Sequence, residues 1–167
     1  MPQEPTLILT KEQIEHKLDR IAWQIYEDHQ HDGEIIVAGI EQRGYRLAEM
    51  LVNRLEKISK LKCNLVSVAL DKDEPLSQPI QSSGLEANAS DEKVVVVDDV
   101  LNSGKTLMYA LQLFLTRSPK KLSVAVLVDR DHKRFPVKAN YVGMSLSTTY
   151  QEHVVVDTES TMTAYLE

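Results

Sequence analysis

The chain has a single cysteine, Cys63, so no intrachain disulfide can form and a secreted, disulfide-stapled scaffold is excluded. One cysteine and five scattered histidines also lack the spacing of a structural zinc site. No apolar run approaches the roughly 18 residues that a membrane helix needs. The opening Met-Pro-Gln-Glu-Pro has neither the basic nor the apolar stretch of a signal peptide, so the expectation is a soluble cytoplasmic protein. Repeats and low-complexity blocks are absent. There is no excess of positive charge either. Lys and Arg number 19 against 25 Asp and Glu, for a net −6, and the pI is near 5.4. That balance argues against wholesale coating of nucleic acid and leaves room only for a local basic patch. What is present is 167 residues, 43% hydrophobic and 26% charged. This is one domain's worth, and a domain of that size buries roughly 70% of its unfolded surface.

Hydrophobic periodicity orders the chain. Thr10 and Gln13 form a capping box, and Ile14, Leu18, Ile21 and Ile25 continue at helical spacing to about His29. Gly33 is the expected stop. Residues 34–39 read as a buried strand. A loop from Ile40 to Gly44 leads to a second helix with Leu47, Leu51, Leu55 and Ile58 on one face. Leu65 to Leu70 is a second strand, and 71–92 is a long polar loop with Pro75, Pro79 and Gly84. Val94 to Val97 is a strand, and 98–105 a loop. A third helix follows with Leu107, Ala110, Leu111 and Phe114 inward. Leu122 to Val128 is a strand, with short strands near Tyr141 and Val154. Continuous apolar strands alternating with amphipathic helices predict a parallel sheet covered on both faces. Ligands then sit at the carboxyl ends of the strands, in loops 40–44, 71–92, 98–105 and 129–136.

The segment Val94-Val-Val-Val-Asp-Asp-Val-Leu-Asn-Ser-Gly-Lys-Thr106 carries the chemistry. Two carboxylates follow a four-valine strand, and a small polar turn then opens a helix. Free amides and hydroxyls at a helix N-terminus bind phosphate. Paired acids beside them can hold sugar hydroxyls or magnesium. The pattern points to a ligand with a ribose and a phosphate. A Walker loop is disfavoured because Asp99 stands where its first glycine belongs, and the glycines at 39 and 44 are followed by Tyr45, not lysine. A receiver domain closes its first strand with acids, whereas this pair closes the third. The plain alternative is a helix cap at a tight turn. Adjacent carboxylates at the end of a buried strand are costly without a partner, which weighs against it. No Gly-x-Ser-x-Gly elbow is present.

The strand, the Asp-Asp pair and Val-Leu-Asn-Ser-Gly-Lys-Thr together resemble the phosphoribosyl-diphosphate signature of type I phosphoribosyltransferases. Further stretches resemble the branch of bifunctional pyrimidine-operon attenuation regulators and uracil phosphoribosyltransferases. They are Ile8-Leu-Thr-Lys-Glu-Gln-Ile14, Gly39-Ile-Glu-Gln-Arg-Gly44, Ala125-Val-Leu-Val-Asp-Arg130 and Ala139-Asn-Tyr-Val-Gly143. The resemblance implies a single domain over 1–167: a three-layer α/β fold, mostly parallel, with helices on both faces and a small hood built from the chain ends. It also implies the site. Asp98 and Asp99 would hold the ribose hydroxyls, directly or through Mg²⁺. Asn102, Ser103, Gly104, Lys105 and Thr106 would wrap the 5′-phosphate. Glu41, Gln42 and Arg43 would form the diphosphate loop, with Arg43 a catalytic cation. Val128, Asp129 and Arg130 would form the base-binding edge, and about 71–92 would be a mobile flap. The implied partners are phosphoribosyl diphosphate, a nucleobase with uracil favoured, and further copies of the chain in a dimer or larger assembly.

Two departures stand out. The branch has a Tyr-Arg-Asp-Asp-like motif before the flap, but here the stretch is Val68-Ala-Leu-Asp-Lys-Asp73, with Lys72 the nearest cation. Lysine lacks the planar fork of arginine, so transfer to uracil is expected to be slow. Asp131 stands where a glycine is expected. Arg130, Lys133, Arg134 and Lys138 form a local basic cluster, which reads first as a solvated loop. An RNA-binding regulator that keeps the pocket as a sensor, and a purine-base salvage enzyme, are the alternative functions. His29 and His31, at i and i+2, read as a solvated helix end rather than a metal site. Trp23 is expected to be partly buried or at a subunit contact, and Cys63 to begin a buried strand.

Overall fold

A computed structural model describes residues 4–86 and 91–167. Residues 87–90 of the expected flap lie outside the described residues, as do the first three of the chain. The elements are β1 (Thr6–Leu9), α1 (Lys11–His29), β2 (Glu34–Ile40), α2 (Arg43–Ile58), β3 (Lys62–Ala69), β4 (Gln81–Ser83), β5 (Lys93–Leu101), α3 (Lys105–Leu115), β6 (Lys121–Arg130), β7 (Tyr141–Leu146), β8 (Val154–Asp157) and β9 (Thr163–Leu166).

Six strands form the central sheet in the order β4-β3-β2-β5-β6-β7. Every pairing is parallel except β3 with β4. Strand alternation explains the two cores. Val37, Val95 and Val97 face Ile14, Leu18 and Ile21 of α1 and Leu47, Leu51 and Leu55 of α2. Ala38, Val94 and Val96 face the other way, toward Leu107, Ala110 and Phe114 of α3. Three layers result, as the pattern predicts. A second, antiparallel sheet, β1-β9-β8, joins the two ends of the chain as a hood, and its Val154, Val156 and Ala164 continue the first core.

The capping box of α1 is present in both directions, and the helix ends at His29. Gly33, three residues beyond the cap at Gln30, takes φ +71 and turns the chain toward β2. Other boundaries move. Helix α2 already starts at Arg43, so the loop of 40–44 shrinks to Glu41 and Gln42. Strand β3 begins at Lys62, with Cys63 second in it. The polar loop 71–92 contains β4, which adds an edge to β3. Leu111 is only half-buried. The histidine expectation is overturned in part. His29 is fully buried, because α1 packs its last turn onto the sheet, and its Nδ1 lies 2.7 Å from Asp32 Oδ2. Trp23 is half exposed and lies edge-on to Tyr26.

Candidate active site at the carboxyl ends of the parallel strands

Strand β5 runs four residues past its valines, so Asp98 and Asp99 are strand residues and the expected loop 98–105 reduces to Asn102, Ser103 and Gly104. The cause is pairing: Asp98 and Val100 keep register with Val126 and Val128 of β6. Both acids are consequently buried. The Asp99 N–H donates to Asp98 Oδ1 at 2.9 Å. Burial, and after it the neighbouring Asp99 charge, pushes the Asp98 carboxyl well above the usual range, while the charge of Lys72 pulls it back.

Beyond the acids, Gly104 takes φ +88 and caps α3 without any side-chain hydrogen bond. Ser103 accepts the Lys105 N–H at 3.3 Å through its hydroxyl, and the Arg134 and Phe135 N–H groups at 2.8 and 2.9 Å through its carbonyl. Asp98 and residues 102–107 surround a hollow of about 40 Å³. The structure therefore brings together Asp98, Asn102, Ser103, Gly104, Lys105 and Thr106. The Lys105 ammonium points elsewhere: it donates to the Asp73 carbonyl at 2.7 Å and tethers the segment after β3.

The β2–α2 junction presses on the same spot. A Cβ on Gly44 would lie 2.6 Å from the Val97 carbonyl oxygen and 2.9 Å from Asp98 Cα, so only glycine allows this approach. That closeness puts Arg43, half exposed in the first turn of α2, with Nη1 3.9 Å from Asp99 Oδ2. Glu41 and Gln42 are exposed, joined by a cis peptide bond, and the Glu41 N–H donates to the Val68 carbonyl at 2.9 Å.

The expected base edge looks different. Val128 is buried between Val100 and Met144. Asp129 accepts from Lys133 Nζ at 2.6 Å. Arg130 is 6% exposed and bonds to Asn102, Thr148 and Thr149. All three belong to β6 and not to a loop. The basic cluster is thinned accordingly: Arg130 is buried and Lys133 is paired, while Arg134 and Lys138 stay exposed. What opens beside them is a cleft of about 900 Å³, lined by Asp73, Asn102, Ser103, Arg130, Asp131, His132, Lys133, Arg134, Tyr150 and His153. His132 and Tyr150, whose rings meet edge to face at 4.9 Å, and His153 were not expected here. His132 alone has a signal in the sequence, its place in 131–136 after the carboxyl end of a parallel strand; Tyr150 and His153 have none.

Residues 6–161 match the phosphoribosyl transferase domain family. The chain is 33% identical over 157 residues to the bifunctional protein PyrR of Clostridium kluyveri, covering 90% of this chain and 89% of that one. It is 34% identical over 163 residues to that of Pelotomaculum thermopropionicum, covering 93% and 90%. Among solved structures it resembles a hypoxanthine-guanine phosphoribosyltransferase of Bacillus anthracis, with a TM-score of 0.76, 20% identity and 97% of each chain covered. The hypoxanthine phosphoribosyltransferase of Trypanosoma cruzi gives a TM-score of 0.77 at 15% identity, covering 96% and 95%. These two likenesses are of fold.

Proposed function

Because the chain belongs to the type I phosphoribosyltransferase family, on the branch of the bifunctional PyrR proteins, we propose that it moves ribose 5-phosphate from phosphoribosyl diphosphate to a nucleobase, with uracil the favoured acceptor. The observation that carries this reading is the buried Asp98–Asp99 pair running directly into the Asn102–Gly104 loop at the start of α3. The acids would take the ribose 2′ and 3′ hydroxyls, and the loop and first turn would take the 5′-phosphate. Two adjacent buried carboxylates, one held protonation-prone by burial and then by the other's charge, suit a hard divalent cation that completes its shell from substrate and water. Asp98 and Asp99 would hold Mg²⁺ there, directly or through water; when bound, the ion neutralises charge on the leaving diphosphate. Arg43 supplies a second cation at that end, already within reach of Asp99. Positive charge develops on the ribose ring in an oxocarbenium-like transition state, and preorganised charges are most effective where water is kept out. The segment that Lys105 tethers through the Asp73 carbonyl would do that on closing.

Asp98→Asn and Asp99→Asn should each weaken phosphoribosyl-diphosphate binding about tenfold or more, the size of one lost charge-assisted contact. Calorimetry with Mg²⁺ checks this, and unchanged affinity in both variants would falsify the site. Diphosphate release with uracil, hypoxanthine and guanine in turn decides the acceptor. Lys72 is the flap cation whose charge reaches Asp98. In a single-turnover assay Lys72→Ala should slow transfer about tenfold; a fast wild type insensitive to this change would mean that the flap needs no cation. The relatives' description as bifunctional supports a second reading, an RNA-binding regulator that senses nucleotides in the same pocket. Binding of phosphoribosyl diphosphate without release by any base would favour it.

A further inference from the structure

Arg130 is a buried cation with no role in the chemistry above. Each of its hydrogen-bond partners is neutral. Nη1 donates to Asn102 Oδ1 at 3.1 Å, Nε to Thr148 Oγ1 at 2.7 Å and Nη2 to the Thr149 carbonyl at 3.1 Å. A buried guanidinium ordinarily meets a carboxylate; here its rigid planar fork holds two separate segments at one spacing. Asn102 opens the loop that precedes α3. Thr148 and Thr149 lie on the stretch between β7 and the hood. That stretch is clamped twice more, by His132 Nε2 on the Thr148 carbonyl and by Glu152 Oε2, which accepts the Thr149 N–H at 2.7 Å. Tyr150 follows, almost fully exposed at the mouth of the 900 Å³ cleft.

We infer that Arg130 is a positioning residue that ties the Asn102 loop to residues 148–153, so that filling the loop with phosphate orders the Tyr150 side of the cleft. The inference rests on the phosphoribosyl reading of that loop. An anion seated on the loop holds Asn102 in place. Asn102 then holds the guanidinium, whose fixed geometry leaves Thr148 and Thr149 one arrangement. By linkage, order on the Tyr150 side must tighten the phosphate side equally.

Ribose 5-phosphate tests this, because it offers a phosphate and no base. Calorimetry should show it binding the wild type, and amide hydrogen exchange over 147–153 should slow about fivefold, the lower end of ordinary site coupling. Arg130→Gln and Thr148→Val should still bind it within about threefold, yet lose the slowing. Thr148 is half-buried, so its variant keeps the fold and decides the matter if Arg130→Gln does not fold. Equal slowing in Thr148→Val, or none in a wild type that binds, overturns the coupling alone. A wild type that binds no ribose 5-phosphate overturns the phosphoribosyl reading, and the coupling falls with it.

Discussion

At Gly104 the motif suggests that a side chain would stand in the way of a phosphate. The structure turns that face toward protein instead. An added Cβ would lie 2.5 Å from Val137 Cγ1 and 3.2 Å from the Phe135 carbonyl oxygen, in a backbone of φ +88. Gly104→Ala should therefore destabilise the fold by about 2 kcal/mol, from the left-handed conformation and the overlap together. Denaturant unfolding checks it. Adding Val137→Ala should return part of the loss relative to Val137→Ala alone, since it clears the nearest atom; no such coupling would place the strain elsewhere. Single residues were unevenly legible. Asp98 and Asp99 announce themselves as two charges after four valines. Arg130 does not, because the partners that make it buried lie 28, 18 and 19 residues away in sequence. His29 is hidden for the same kind of reason: polarity marks it for solvent, and tertiary packing overrides that.

Among the elements, α1 and α2 were legible because a capping box and unbroken helical spacing are local signals. Strands β1, β4 and β9 have four residues or fewer and little buried surface, so their hydrophobic signal is weak; pairing alone makes them strands. The β8–β9 hairpin shows how such a small piece holds. Asp157 accepts from the Ser160 hydroxyl at 2.6 Å and the Thr161 hydroxyl at 2.8 Å, and from the backbone N–H groups of Glu159, Ser160 and Thr161. Those bonds, Ser160's first, hold its carboxyl far below the usual range. A carboxyl depressed in the folded state stabilises above its unfolded value and loses that contribution as pH falls. Asp157→Ala should thus speed amide exchange in 154–166 at neutral pH, and the gap from wild type should narrow as pH drops below the ordinary value of 3.8. A gap that stays constant down to pH 2 would mean that the carboxylate is not what holds the turn.

For the whole molecule, the two-sided core and the site at the carboxyl ends of the strands follow from the alternation of strand and helix. The hood contact to the first core does not, because no local pattern couples residue 9 to residue 164. Net charge belongs to this scale as well. With −6 overall, Arg130 buried and Lys133 paired to Asp129, the basic face between residues 130 and 138 comes down to Arg134 and Lys138. A pyrimidine-operon leader RNA should therefore show little electrophoretic retardation at about 150 mM salt, and any at about 50 mM should fade steeply. Retention at both concentrations would show a binding face on another part of the surface. The hood also bears on folding order. Thr6 pairs with Leu166, so nearly the full chain lies between two hydrogen-bonded partners. Closing so long a loop from a disordered chain costs more entropy than any local contact, and contacts of this kind slow folding. The central sheet must shorten that path first. The pairing of β1 with β9 should then form late, once the elements between them have found their places.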